Sequence, residues 1–156
     1  MKTSRKQWIW GVVLTLLFIW LGAMREVLFV NINEQILFHE GGRNTYRVVP
    51  SLHFLGQYSI AELERWKWIL TLLYMAMHLL LSSFALKQVF GLHGQRRWLL
   101  AIYALGFVIA GVSYVTGKHL GQAELGYTLS RVIMGALQSP FPLMLMIPAL
   151  MLDKED

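Results

Sequence analysis

Residues 8–24 read WIWGVVLTLLFIWLGAM, an apolar run without a single charged side chain. Its length approaches the about 20 residues that a helix needs to cross a hydrocarbon core of roughly 30 Å. Lys2, Arg5 and Lys6 precede it, an arrangement shared with secretory signals. Two features argue for a retained span instead. No small-x-small cleavage pattern follows, since Gly22-Ala23-Met24 leads into Arg25-Glu26, and further apolar runs come later in the chain. Residues 8–24 are therefore read as the first transmembrane helix.

Three more runs repeat the pattern at 67–87, 98–116 and 128–152, separated by stretches that collect the charges. Composition agrees: the chain is 56% hydrophobic and 15% charged, whereas soluble domains carry about 25% charged residues. Mean hydropathy is +0.49. The expected fold class is all-α, an integral membrane four-helix bundle forming a single membrane domain over 1–156, with an outer loop at 25–66.

Local signals refine that layout. Ser59 followed three residues later by Glu62 has the spacing of a capping box, so helix 2 is expected to begin near Ile60, with Trp66 and Trp68 at headgroup level. In the outer loop, Asn31 to Phe38 predicts a short interfacial amphipathic helix ended by Gly41-Gly42. Pro50 argues for extended structure over 48–54. Pro140, Pro142 and Pro148 each lack a backbone donor, which predicts a bend or break after Gln138-Ser139.

The net charge of +5 raises nucleic-acid binding as a possibility, but the basic residues sit at the ends of apolar runs rather than in a stripe interleaved with aromatics. No nucleic-acid partner is expected. Lys2, Arg5, Lys6, Lys87, Arg96 and Arg97 fall on one side of a four-span chain, which the positive-inside rule assigns to the cytoplasm. Both termini then lie inside, in the inner membrane if the cell is bacterial. The opposite side balances Arg25, Arg43, Arg47, Arg65 and Lys67 against Glu26, Glu34, Glu40, Glu62 and Glu64. With no cysteine in the chain, thiolate catalysis and cysteine metal sites are excluded. His39, His53, His93 and His119 show no His-x-x-x-His or Glu-x-x-His spacing, so neither a metal nor another cofactor is expected.

Polar side chains inside apolar spans are costly, and they mark either bundle contacts or function. Four stripes occur at spacings of three and four. They comprise Gly11, Thr15, Gly22 and Arg25 on helix 1, and Lys67, Thr71, Tyr74, His78 and Ser82 on helix 2. Helix 3 carries Tyr103, Gly106, Ala110, Ser113 and Gly117, a small-residue seam that lets a neighbouring backbone approach. Helix 4 carries Tyr127, Arg131, Gly135, Gln138 and Pro142. Arg25, Lys67 and Arg131 belong to outer helix ends, where Glu26, Glu64 and Glu124 are available for an ion-pair ring; an anionic headgroup or a partner protein is the sharper use of the same charges. His78 falls near mid-membrane, where a lone histidine is more often a packing residue than a ligand.

Two motifs carry a family resemblance. Arg25-Glu26-Val27-Leu28-Phe29 leaves the first span and leads into Asn31-Ile32-Asn33-Glu34. Tyr127-Thr128-Leu129-Ser130-Arg131 runs through Leu137-Gln138-Ser139-Pro140 to a terminal segment with Pro148. With the four-span layout, these resemble the small bacterial membrane proteins encoded with exosortases, of the exosortase X and exosortase F kinds. Where the exosortase F kind has an aromatic-Asp-Pro turn after the first motif, this chain has Val30-Asn31-Ile32, which favours the exosortase X kind. The resemblance implies a non-catalytic accessory protein of a sorting system for C-terminally tagged surface proteins, docking to the membrane transpeptidase or its substrate. The exosortase itself resembles a Cys, Arg and His transpeptidase, a chemistry that a cysteine-free chain lacks.

The residues for docking or for a polar pocket are accordingly Arg25, Glu26, Lys67, Tyr74, His78, Tyr127, Arg131 and Gln138, with none designated catalytic. The alternative is a small membrane enzyme using His78 or Glu64 as base and Arg131 as anion clamp. A lipid-binding or transport subunit with a polar intramembrane pocket is the third reading. The enzyme reading requires His78, Tyr74, Arg131 and Gln138 to converge on one water-accessible pocket.

Overall fold

The computed structural model describes residues 4–42, 48–91 and 95–152; Lys2, Arg43, Arg47 and His93 lie outside these. Among the described residues every regular element is helical. Helix α1 spans Arg5–His39, a 3-10 helix spans Pro50–Gln57, and α2 spans Ile60–Gln88. They are followed by α3 at Arg96–His119, α4 at Ala123–Leu137 and α5 at Phe141–Leu152. The most apolar windows of α1, α2 and α3 have mean hydropathies of 2.0, 1.9 and 2.0, with 17%, 33% and 17% of their residues buried. Surfaces this apolar and this exposed belong in lipid, where a helix satisfies its own backbone. The chain is thus all-α, with three helices long and apolar enough to span a membrane. A fourth crossing is added if α4 and α5, bent by 67° at their break, count as one.

Helix α1 has 35 residues, about 52 Å at a rise of about 1.5 Å per residue, well beyond the roughly 30 Å of hydrocarbon. The amphipathic stretch at residues 31–38 is helical as expected, but it is the end of α1 rather than a separate interfacial helix. The reason is local: neither Gly nor Pro occurs from Ala23 to Glu40, so nothing interrupts the ladder. Gly41-Gly42 does stop it. Gly41 adopts φ +74, its N–H donates to the Phe38 carbonyl, and the Gly42 N–H donates to the Leu37 carbonyl, the Schellman arrangement that satisfies the last carbonyls.

The segment expected to be extended around Pro50 is instead the start of the 3-10 helix, with Pro50 in its first turn. Proline is compatible there because its fixed φ suits the first turn and its missing N–H is one that no helix would use. At about three residues per turn, Leu52, Leu55 and Tyr58 form one stripe, and all three pack into the same apolar cluster. Helix α2 then begins where the capping box placed it. The Ser59 N–H and hydroxyl donate to Glu62 Oε2 at 2.8 Å each, and the Glu62 N–H donates back to Ser59 Oγ at 3.4 Å.

The chain divides into two compact units, Met1–Phe18 with Met75–Asp156, and Ile19–Tyr74. In the first, Leu14, Phe18, Leu86, Leu99, Tyr103 and Met134 belong to one buried core. Its organising feature is an antiparallel hairpin of α3 and α4. A Schellman turn makes the reversal, with Gly121 at φ +70 and the Gln122 N–H donating to the Gly117 carbonyl at 2.9 Å. A Cβ placed on Gly117 would lie 2.5 Å from the Cα of Gly126, and one on Gly126 would lie 2.6 Å from the Ser113 carbonyl oxygen. The backbones touch, as the small-residue seam of α3 predicts. The second unit has a core of Ile32, Ile36, Val48, Leu55 and Leu63.

Candidate functional site

The polar stripe of α2 faces inward. Thr71 and Lys67 are half-buried, while Tyr74, His78 and Ser82 are 6%, 1% and 0% exposed. The spacing of three and four aligns them on one helical face, and each is enclosed within its own unit. Tyr74 belongs to the second unit; His78 and Ser82 belong to the first. The His78 imidazole packs against the Phe18 ring, centroids 5.8 Å apart and tilted by 34°.

The seam of α3 brings a further hydroxyl to this region. Gly117 meets Gly126, and Gly106 meets Leu137, whose Cδ2 would be 2.9 Å from a Cβ at that glycine. The same step along both helices separates the two contacts. One more turn of α3 in this register places Tyr103 level with the break after Leu137. There the Tyr103 hydroxyl faces Ser82, both residues being buried. Gln138, the C-cap of α4, is 3% exposed.

The break itself is built by Ser139. Its hydroxyl donates to the Ala136 carbonyl at 2.7 Å and accepts the Phe141 N–H at 3.2 Å. One side chain thus serves the carbonyl left by α4 and an amide of the first turn of α5. The expected bend after Gln138-Ser139 is present, and its polar groups are supplied locally, as a break in a membrane helix requires.

The stripe assigned to α4 does not form one inward face. Tyr127 is 46% exposed and Arg131 is exposed. The buried face of α4 consists of Gly126, Ser130, Met134 and Leu137, because the close approach to α3 requires the glycine and serine to lead. Helix α1 departs in the same way. Thr15 is exposed and its hydroxyl donates to the Gly11 carbonyl at 2.9 Å, while Leu14, Phe18 and Leu21 are the buried residues of the first apolar run. A Cβ on Gly11 or Gly22 would meet no described atom within 4 Å, so neither glycine is needed for a close contact here.

In the second unit, Arg25 is half-buried with its guanidinium 5.3 Å from the centre of the Phe29 ring, a cation–π distance. Phe29 meets Tyr74 edge-on at 6.4 Å. The Arg25-x-x-x-Phe29 spacing thus sets up a short stack reaching Tyr74, while Glu26 is exposed.

One polar contact escaped the sequence reading. Asn31, 5% exposed, donates from Nδ2 to the Val27 carbonyl and accepts the Val49 N–H at Oδ1, both at 2.7 Å. It ties the segment after residue 47 to α1. Gln35, 1% exposed, lies one turn further and has its Nε2 2.9 Å from the His39 Nε2. The signal was in the sequence: Asn31-Ile32 and Gln35-Ile36 repeat a polar-apolar pair at helical spacing, which marks a helix burying both pairs.

Chemically, the buried set of the first unit offers an imidazole, hydroxyls and an amide as hydrogen-bonding groups. Within the first unit, Arg131 is exposed while His78 and Gln138 are enclosed. Among the described residues no group of three or more His, Cys, Asp or Glu is arranged to hold a metal. No family model, curated protein or solved structure matches the chain.

Proposed function

We propose that this chain is a non-catalytic accessory membrane protein of an exosortase-type protein sorting and processing system, acting by docking to the membrane transpeptidase or to its substrate. The reading grows from the two motifs around Arg25 and Arg131 that resemble exosortase-associated proteins. One structural observation supports it most. Helix α4 spends its small-residue face on α3 and leaves Tyr127 and Arg131, one turn apart, on an exposed face. A guanidinium cannot shed its charge and recognises carboxylates bidentately, so on a membrane helix it is suited to an acidic group of a partner. Under this reading the protein resides in the bacterial inner membrane with both termini in the cytoplasm, the side to which its short basic stretches point.

The test is co-purification in mild detergent of the full-length chain with an exosortase encoded beside it. Arg131→Ala is expected to lower recovery of the pair while membrane insertion and thermal stability of the chain stay unchanged, because Arg131 is outside the α3–α4 seam. Arg131→Lys restores charge without the fork and is expected to recover only part of the binding. Undiminished recovery with Arg131→Ala and with Arg25→Ala would sink the docking proposal.

A further inference from the structure

The 3-10 helix Pro50–Gln57 has three stripes at its period of about three residues, and only one of them enters the core. Leu52, Leu55 and Tyr58 face the apolar cluster. The neighbouring stripe of Ser51, Phe54 and Gln57 is exposed, and Phe54, a large apolar ring, keeps 49% of its surface accessible. Water is a poor environment for that ring.

Phe54 does not stand alone. It meets Tyr58 edge-on with centroids 6.5 Å apart, and Tyr58 meets Trp66 in the same manner at 6.4 Å. Trp66 is 42% exposed, and beyond it Trp68, Ile69, Leu72 and Leu73 continue an exposed apolar surface along α2 at 57%, 53%, 47% and 50%. The ring chain is therefore continuous with the surface of a helix apolar enough to cross a membrane. Glu62, Glu64 and Arg65 are exposed on the first turns of that helix, which marks the level at which water begins. Amphipathic rings gather where headgroups meet acyl chains.

We infer that Phe54, Tyr58 and Trp66 form an interfacial anchor that seats the 3-10 helix in the headgroup layer of the bilayer, with phospholipid as its partner. The anchor fixes the depth at which α2 enters the membrane. It also holds residues 50–58 on the lipid surface rather than free in water. Nearby charge is mixed, so the anchor works through ring burial and shows no requirement for anionic lipid.

The chain contains no cysteine, so a single Phe54→Cys or Gln57→Cys substitution accepts a nitroxide label without further changes. Full-length labelled protein in phosphatidylcholine vesicles is examined by power-saturation spectroscopy, with oxygen as the lipid-soluble relaxer and a neutral nickel chelate as the aqueous one. Labels at Glu40→Cys, just past α1, and at Leu72→Cys, on the apolar surface of α2, set the aqueous and hydrocarbon limits. The label at residue 54 is expected to lose nickel accessibility relative to residue 40 and oxygen accessibility relative to residue 72. Gln57 lies outside the ring chain, and its label keeps the test valid if the change at Phe54 disturbs packing. An intermediate depth at either site supports the anchor; aqueous values at both overturn it.

Discussion

The α3–α4 seam and the Asn31 knot both hold backbone segments together, by opposite means. At the seam, Gly117 and Gly126 remove side chains so that two helices touch along their main chains. At the knot, Asn31 inserts a side chain that serves two backbone groups at once. The difference follows from what each must join. Two helices have satisfied backbones and, in lipid, gain little from hiding apolar surface, so close packing is what remains to favour contact. The segment entering the 3-10 helix has a Val49 N–H with no helical partner, and the Asn31 Oδ1 supplies one. Small residues solve the first problem and a polar residue solves the second.

Exchanging the two solutions gives predictions of decreasing size. Gly126→Leu forces bulk against the Ser113 carbonyl and the Gly117 main chain. Overpacking of this kind costs about 3 kcal/mol, and a lowered thermal midpoint in detergent checks it. Gly106→Ala is expected to be much milder, because the atom in its way is the end of the flexible Leu137 side chain. Equal losses at positions 106 and 126 would show that backbone contact is not what the seam supplies.

Asn31→Leu keeps volume at the knot while removing the acceptor for Val49. The expected cost is about 1 kcal/mol, the net worth of one partly exposed hydrogen bond. It is read as faster hydrogen exchange at the Val49 amide with α3 and α4 still protected. Ser59→Ala removes the capping box of α2 and should cost about 1 kcal/mol, seen as fraying of the first turn of that helix. Gly11→Ala enters open space on a helix, and relief of chain entropy should stabilise by about 0.5 kcal/mol. A destabilising result there would mean that the glycine serves a contact with another molecule.

The parts of the fold that were legible in the sequence are those controlled by neighbours along the chain. Ser59 and Glu62 fixed the start of α2, Gly41-Gly42 a helix stop that proved to be that of α1 rather than of a separate interfacial helix, and Ser139-Pro140 the break before α5. The apolar periodicity and small residues of α3 announced its seam. What misled was the use of polarity alone to choose a face. Thr15 on α1 satisfies its hydroxyl within its own helix, so it has no need to turn inward. On α4, Arg131 was grouped with Gln138 by spacing, yet the burial of Gly126 and Ser130 turned the arginine out. Pro50 was read as a breaker when its position at a helix start made it a nucleus.

The candidate residues divided along the same line. Burial of Tyr74, His78 and Ser82 could be read from their spacing on an apolar helix. The meeting of Ser82 with Tyr103 could not, because it depends on how α2 packs against α3. Residue order by itself determined that this chain is a set of long apolar helices, since hydrophobicity, caps and breakers act over a turn or two of backbone. Only the tertiary structure decided which side of each helix is enclosed. That choice depends on which partner backbone comes close enough to need a glycine, a distance set between segments far apart in the chain.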